Sequence, residues 1–142
     1  MKVEEIMNKR LRTVEPDATI KKAVDIMNKY MIGSILVVKN EQLVGIITER
    51  DILVKIVSAC KDPNKTLVSD IMVKNPVTVE PEADVEAAAR LMTKHKCKKL
   101  PVVHWGKLVG ILTATDIVAN ARDVVDRILT IMMYSPEVAV DY

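Results

Sequence analysis

Apolar residues recur along this chain in two alternating periods. Thr19 stands ahead of Ile20, Ala23, Val24 and Met27, and Asp84 stands ahead of Val85, Ala88, Ala89 and Met92. This is helical spacing behind an N-cap side chain, and it predicts two amphipathic helices. Downstream of each, the spacing gives way to continuous β-branched runs. Ile35–Val38 and Leu43–Ile47 are separated by Lys39-Asn40-Glu41-Gln42, while Leu100–Val103 and Leu108–Leu112 are separated by His104–Lys107, which contains Gly106. Each pair predicts a hairpin. Short extended pieces, Thr13-Val14 and Val77-Thr78-Val79, come before the helices, and Pro16 and Pro81 end them. A last helix is predicted to begin at Thr48 in the first case and at Thr113 in the second.

The two series are one unit written twice. Offset by 65 residues, Val3–Val54 falls on Val68–Ala119 without a gap. Ile6-Met7 meets Ile71-Met72, Thr13-Val14-Glu15-Pro16 meets Thr78-Val79-Glu80-Pro81, and Leu43-Val44-Gly45-Ile46 meets Leu108-Val109-Gly110-Ile111. The organisation expected is repeat one over 1–62, repeat two over 66–121, and a C-terminal helical extension and tail over 122–142, with the polar Lys61–Lys65 as linker. The order β-α-β-β-α, twice, defines a mixed α+β fold. A unit of about 60 residues buries too little apolar surface to be comfortable alone, so the two repeats are expected to pack about a pseudo-twofold axis.

Composition narrows the function. The chain has 142 residues, 49% of them apolar and 28% charged, with 21 Lys and Arg against 19 Asp and Glu for a net charge of +2. That is a globular balance, and near-neutrality argues against nucleic acid as a partner. With only four glycines, at 33, 45, 106 and 110, neither G-x-G-x-x-G nor a G-x-x-x-x-G-K loop can be written. No Phe is present, and the aromatic residues are Tyr30, Trp105, Tyr134 and Tyr142, too few for a base-stacking platform. The first ten residues lack the apolar core of a signal peptide and no run is long enough to span a membrane. A soluble cytoplasmic protein is expected, with Cys60 and Cys97 too few for a disulfide framework.

The most informative repeated word is Gly45-Ile46-Ile47-Thr48-Glu49-Arg50-Asp51, echoed by Gly110-Ile111-Leu112-Thr113-Ala114-Thr115-Asp116. Its form is Gly-apolar-apolar-Thr-x-x-Asp at a strand-to-helix junction. One reading is a capping box, in which Thr and Asp satisfy the backbone N–H groups of the first helical turn and need nothing else. The other is a ligand site, since a helix start with a Thr hydroxyl attracts anions and an Asp carboxylate can accept from both hydroxyls of a ribose. The motif alone is compatible with both.

Taken together, Val-x-x-Ile-Met, Thr-Val-x-Pro-x-Ala, an amphipathic helix, an apolar strand and Leu-Val-Gly-Ile-apolar-Thr-x-x-Asp, all present twice, resemble a tandem pair of CBS domains. The family is named after cystathionine β-synthase and also occurs in IMP dehydrogenase, chloride channels and the regulatory subunit of AMP-activated kinase. The resemblance covers residues 3 to 120. It implies a disc-like pair, a Bateman module, here as a stand-alone CBS-domain protein, with two clefts for adenosine-containing ligands: AMP, ADP, ATP or S-adenosylmethionine. One cleft would take Thr13, Ala18, Ile32 and Gly33 with Thr113 and Asp116. The other would take Thr78, Ala83, Cys97 and Lys98 with Thr48 and Asp51. Asp would hold the ribose diol, Thr and the helix start would face phosphate, and the segments at 32–33 and 97–98 would cradle adenine. By the same resemblance Lys98 and Lys99, just ahead of Leu100-Pro101-Val102, are phosphate contacts, and Arg50, replaced by Thr115 in the second word, is another candidate. The asymmetry implies one better nucleotide site and one weaker or differently selective one.

Other chemistry finds little support. His95, Cys97 and His104 would need a fourth ligand to make a zinc site, so no metal is expected, and no nucleophile–base arrangement can be drawn from two histidines in a Lys-rich segment and a hairpin turn. An enzyme is not expected. Ile117 to Met133 carries apolar positions at 118, 121, 124, 125, 128, 129, 132 and 133, which predicts a long C-terminal helix that must cover something. Members of the family commonly dimerise through such helices, so a homodimer is expected. The expected function is a regulatory, ligand-sensing module acting on an effector protein that remains unknown, with no required cofactor. The alternative is a ligand-free dimerisation or scaffold module in which the Thr-x-x-Asp words are only caps.

Overall fold

The structure is a computed structural model that describes residues 1–120 and 122–134. The chain forms two compact units. One is Arg12–Pro76, and the other is Met1–Leu11 together with Val77–Tyr142.

In the Arg12–Pro76 unit the order is β1 (Thr13–Val14), α1 (Ile20–Tyr30), β2 (Ser34–Lys39), β3 (Gln42–Thr48), α2 (Glu49–Ile52), α3 (Val68–Ile71) and β4 (Val73–Lys74). β1 runs parallel to β2, β2 antiparallel to β3, and β3 antiparallel to β4. α1 is capped as its sequence predicts: the Thr19 side chain accepts from the Lys22 N–H, and Met31 closes the helix in the left-handed region at φ 52°. The hairpin turns on Asn40 and Glu41, both at positive φ (52° and 66°), the backbone of a two-residue turn that follows the strand twist. After Ile52 the helix widens into a π-helical stretch, Leu53–Val57, and Cys60 at φ 54° ends the segment. The core is Val14, Ile20, Ala23, Met27, Ile35, Val37, Ile47, Ile56, Val68 and Ile71.

The second unit repeats this plan with α4 (Val85–Lys94), β5 (Lys99–His104), β6 (Lys107–Thr113), α5 (Ala114–Asn120) and α6 (Arg122–Tyr134). Val79 bridges Val102 in parallel, where the first unit has β1 on β2, and Asn8 bridges Ile111 antiparallel, where the first unit has β4 on β3. The Asp84 side chain accepts from the Glu86 N–H at the start of α4. Trp105 and Gly106 make the hairpin turn, again both at positive φ.

The units do not divide where the sequence repeat does. The segment that opens each repeat joins the body of the other. Val68 N–H donates to the Ala18 carbonyl (2.8 Å), Ser69 to Pro16 (2.9 Å), and Ile20 to Thr66 (2.9 Å). Shifted by the repeat offset, the same bonds recur: Val3 to Ala83 (2.9 Å), Glu4 to Pro81 (3.0 Å), and Val85 to Met1 (3.0 Å). These lead-in segments lie so close to β3 and β6 that no side chain fits beneath them. A Cβ on Gly45 would stand 2.6 Å from the Met72 sulfur and 3.0 Å from the Val73 carbonyl oxygen. One on Gly110 would stand 2.6 Å from the Met7 sulfur and 3.3 Å from the Asn8 carbonyl oxygen. The repeated Ile-Met and Val-Gly words are therefore two halves of one contact.

The C-terminal helical segment covers its own unit. α5 and α6 flank Ala121, which, like residues 135–142, lies outside the described residues. Ile128 is buried in the core of Val85, Ala88, Ala89 and Met92, Met132 packs against it, and Arg127 pairs with Glu86 of α4. Leu129, Met133 and Tyr134 stay exposed. Only about 20 Å³ remains between α6 and the hollow lined by Ala89, Met92, Thr93, Lys96, Cys97 and Ala114. The repeat-equivalent hollow of the first unit, lined by Val24, Met27, Asn28, Met31, Ile32 and Glu49, is an open groove of about 600 Å³.

Because overpacking typically costs about 1–3 kcal/mol, Gly45→Ala is expected to destabilise the fold by that order. Gly110→Ala should cost less, since its backbone neighbour stands farther away. Adding Met72→Ala to Gly45→Ala should recover part of the loss, and denaturant midpoints of the three variants measure all three expectations.

Candidate ligand-binding site

Each repeated Thr-x-x-Asp word sits where an apolar strand turns into a helix. β3 ends at Thr48, whose backbone is still extended (φ −111°, ψ 165°), and α2 starts at the next residue. The Thr48 hydroxyl accepts from the Asp51 N–H (3.2 Å), and Asp51 Oδ2 accepts from the Thr48 N–H (2.9 Å) and from the Thr48 hydroxyl (3.1 Å). At β6 and α5, Asp116 Oδ2 accepts from the Thr113 N–H (2.9 Å), and the Thr113 hydroxyl accepts from the Asp116 N–H (3.1 Å). Both words are complete capping boxes. Each still presents a half-buried carboxylate and hydroxyl at a helix start.

A second segment is brought to each word. Ile32 N–H bonds back to the Met27 carbonyl (3.0 Å) as α1 ends, and the next residue, Gly33, accepts from the Glu49 N–H (3.0 Å). In the other unit Cys97 N–H bonds to Met92 (2.9 Å), and the Lys98 carbonyl accepts from Ala114 N–H (2.9 Å). The end of the amphipathic helix is thus tied to the start of the following one. Within the Arg12–Pro76 unit this joins Ile32 and Gly33 to Thr48, Arg50 and Asp51 of their own repeat, whereas the family resemblance sets them with Thr113 and Asp116. Within its counterpart it joins Cys97 and Lys98 to Thr113 and Asp116, with Lys99 opening β5.

The remaining expected residues belong to the same two bodies. Thr13 pairs with Leu36 on β1 and is exposed; Ala18 is half-buried and uses its carbonyl to hold Val68. Thr78 is exposed and Ala83 half-buried, its carbonyl holding Val3. Arg50 lies exposed in the first turn of α2.

The two carboxylates differ in charge environment. Asp51, with 12% of its side chain exposed, has Lys55 Nζ at 3.2 Å from Oδ1, and the same ammonium donates to the Ile71 carbonyl at 2.8 Å. Lys55 lies outside the repeated word, and its spacing of four from Asp51 on a helix is the signal for such a pair. The offset places Asn120 at the corresponding position, where its amide donates to the Asp116 backbone carbonyl (2.8 Å) rather than to the carboxylate. Asp116 therefore carries no cation at that position. Cys97, half-buried beside Lys98, has its thiol pushed upward by burial, against backbone hydrogen bonds at Lys99 and Cys97 that pull the other way. Neither cysteine is in a disulfide.

With this geometry in place, comparison with known proteins defines the class. The CBS domain model matches residues 3–58 and 68–123, and the chain belongs to the CBS domain family as a tandem pair. It is similar to the CBS domain-containing protein YhcV of Bacillus subtilis, at 34% identity over 83% of this chain and 84% of that protein. It is 36% identical to the inosine-5'-monophosphate dehydrogenase of Methanocaldococcus jannaschii over 95% of this chain, but spans only 28% of that enzyme. Among solved structures, CBSX2 in complex with AMP superposes with a TM-score of 0.75 and 29% identity, covering 87% of this chain and 97% of that one. The chain is thus built as a regulatory module, and among the described residues no helix is long and apolar enough to cross a membrane.

Thiol chemistry checks the local environment. A disulfide reagent at neutral pH should modify exposed Cys60 quickly and Cys97 slowly, and the Cys97 rate should climb as pH rises above the usual thiol range, because the thiolate is the reacting form. Timed labelling with peptide mass spectrometry reads both rates.

Proposed function

We propose that this CBS pair senses an adenosine-containing ligand, AMP, ADP, ATP or S-adenosylmethionine, and reports it to an effector protein by a change in shape or self-association. The observation that carries the reading is the pair of Thr-x-x-Asp carboxylates held at helix starts next to the segments at Ile32–Gly33 and Cys97–Lys98. The AMP held by the structurally similar CBSX2 supports it. In this reading Asp51 and Asp116 accept the ribose hydroxyls, and Thr48 and Thr113 face phosphate with Arg50, Lys98 and Lys99. Ile32, Gly33 and Cys97 border the base, and Thr13, Ala18, Thr78 and Ala83 complete the two pockets. Asp116 is the stronger ribose acceptor, because Asp51 must first give up part of its pairing with Lys55. Self-association as a homodimer in the cytoplasm fits the apolar Leu129, Met133 and Tyr134 left exposed on α6.

A second reading is a ligand-free dimerisation module. The completeness of both capping boxes favours it, since each Thr and Asp is already satisfied.

The two readings separate on melting temperature. A ligand bound only by the native state at a hundredfold excess over its Kd stabilises by about 2.7 kcal/mol, so millimolar AMP, ATP or S-adenosylmethionine should raise Tm in a saturable way. Asp116→Asn should abolish most of that response while costing no more than about 1 kcal/mol of intrinsic stability, and Asp51→Asn should remove less of it. A wild-type Tm that none of the three ligands moves would leave the scaffold reading standing.

A further inference from the structure

One cluster of side chains has no part in the reading above. Glu80, Glu82 and His104 meet where the end of β5 passes the loop after Val79. The backbone fixes this meeting: Val79 N–H donates to the Pro101 carbonyl (3.0 Å) and Val103 N–H donates to the Val79 carbonyl (3.0 Å), which seats Glu80 beside His104. Ala83 N–H closes a turn onto the Glu80 carbonyl (3.1 Å), bringing Glu82 round to the same side. His104 Nδ1 then lies 3.6 Å from Glu80 Oε2 and 3.7 Å from Glu82 Oε1.

These distances are informative. A direct N–H···O bond would close to about 2.7–3.2 Å, and here neither does. Nδ1 is shut off from solvent although the ring as a whole is 43% exposed, and it has no hydrogen-bond partner. Ligand atoms that share a tetrahedral zinc stand about 2.0–2.2 Å from the ion and so about 3.4 Å from one another. The three atoms here lie within 4.8 Å of each other.

The repeat supplies an independent argument. Shifted by the offset, Glu80, Glu82 and His104 become Glu15, Asp17 and Lys39, and the parallel register that seats them is the same in both units. At these positions the first copy carries two acids and a lysine, whose positive charge is permanent. The second keeps two acids but substitutes an imidazole, which is cationic only when protonated and is otherwise a metal ligand. The exchange of lysine for histidine removes a fixed cation from this register and adds a metal-ligating nitrogen.

We propose that Glu80, Glu82 and His104 bind one divalent transition-metal ion, zinc by the chemistry of the set, through one oxygen of each carboxylate and His104 Nδ1. Imidazole nitrogen with carboxylate selects zinc over magnesium or calcium, which prefer all-oxygen shells. Three protein ligands leave a fourth position for water or for a group from a partner. Trp105, the single tryptophan, stands edge-on to the His104 ring with centroids 5.9 Å apart, so the site carries its own fluorescent reporter.

The test uses the full untagged chain, stripped with chelator and titrated with zinc chloride, read by Trp105 emission and by calorimetry. One zinc per chain, a saturable change in emission, a raised Tm and no competition from millimolar magnesium are expected. His104→Lys installs the residue that the first repeat already carries at this place, so it keeps the fold; it should weaken zinc binding at least tenfold and abolish the emission change. Glu80→Gln with Glu82→Gln should do the same, and serves if the lysine variant does not fold by circular dichroism. Absence of saturable zinc binding to the wild type overturns the proposal, as does zinc binding of unchanged affinity in the variants, which would place the metal elsewhere, for example at His95 and Cys97.

Discussion

The whole arrangement depends on a methionine side chain lying where a Cβ would otherwise be. Met72 crosses β3 at Gly45 and Met7 crosses β6 at Gly110, each with its sulfur inside the space of a missing side chain. Interiors are packed to crystal density, so these glycines are required by their neighbours rather than by their own backbone angles. The contact also decides how the chain is partitioned. Since each strand is covered by the lead-in segment of the other sequence repeat, neither repeat closes its own core, and Val68 and Ile71 complete one core while Val3 completes the other. Two copies in one chain are thus a structural need as well as a record of duplication.

The same economy shapes the site. The junction that ends the strand begins a helix, and a junction of this kind must satisfy orphan N–H groups. Thr and Asp do that, and the residues that cap are the ones that would hold a ribose and a phosphate. The duplication then lets the copies diverge in charge at matching positions: Lys55 against Asn120, Arg50 against Thr115, Lys39 against His104. At the first of these the bonding changes with the residue: Lys55 reaches Asp51 and the Ile71 carbonyl, whereas Asn120 bonds back to the Asp116 carbonyl. The two halves therefore differ in local charge around the same Thr-x-x-Asp word.

Much of this was legible in the residues. N-caps at Thr19 and Asp84, the hairpins, and the strand-to-helix words announce themselves through short-range chemistry, and the structure forms them where that chemistry points. The exchange of lead-in segments was not, because Ile6-Met7 and Ile71-Met72 are near copies and either fits either glycine as a string. The choice is made by chain geometry, which periodicity does not encode. The apolar stripe of the C-terminal segment showed that something must be covered, but a stripe does not name its partner; Ile128 and Met132 turn out to fill the hollow beside α4 and α5. Lys55 and the meeting of Glu80 and Glu82 with His104 are not legible in the repeated words for a related reason, since these pairs join a word to its surroundings.

If the two Thr-x-x-Asp helix starts are ligand sites and not caps alone, their amides must sense AMP. Titration of the isotopically labelled chain with AMP, followed by amide resonances, should give saturable shifts at Gly33 and Thr48–Asp51 or at Lys98 and Thr113–Asp116, larger in the half that carries Asp116. Unchanged resonances at both words at millimolar AMP, or shifts confined to residues remote from them, would contradict that reading.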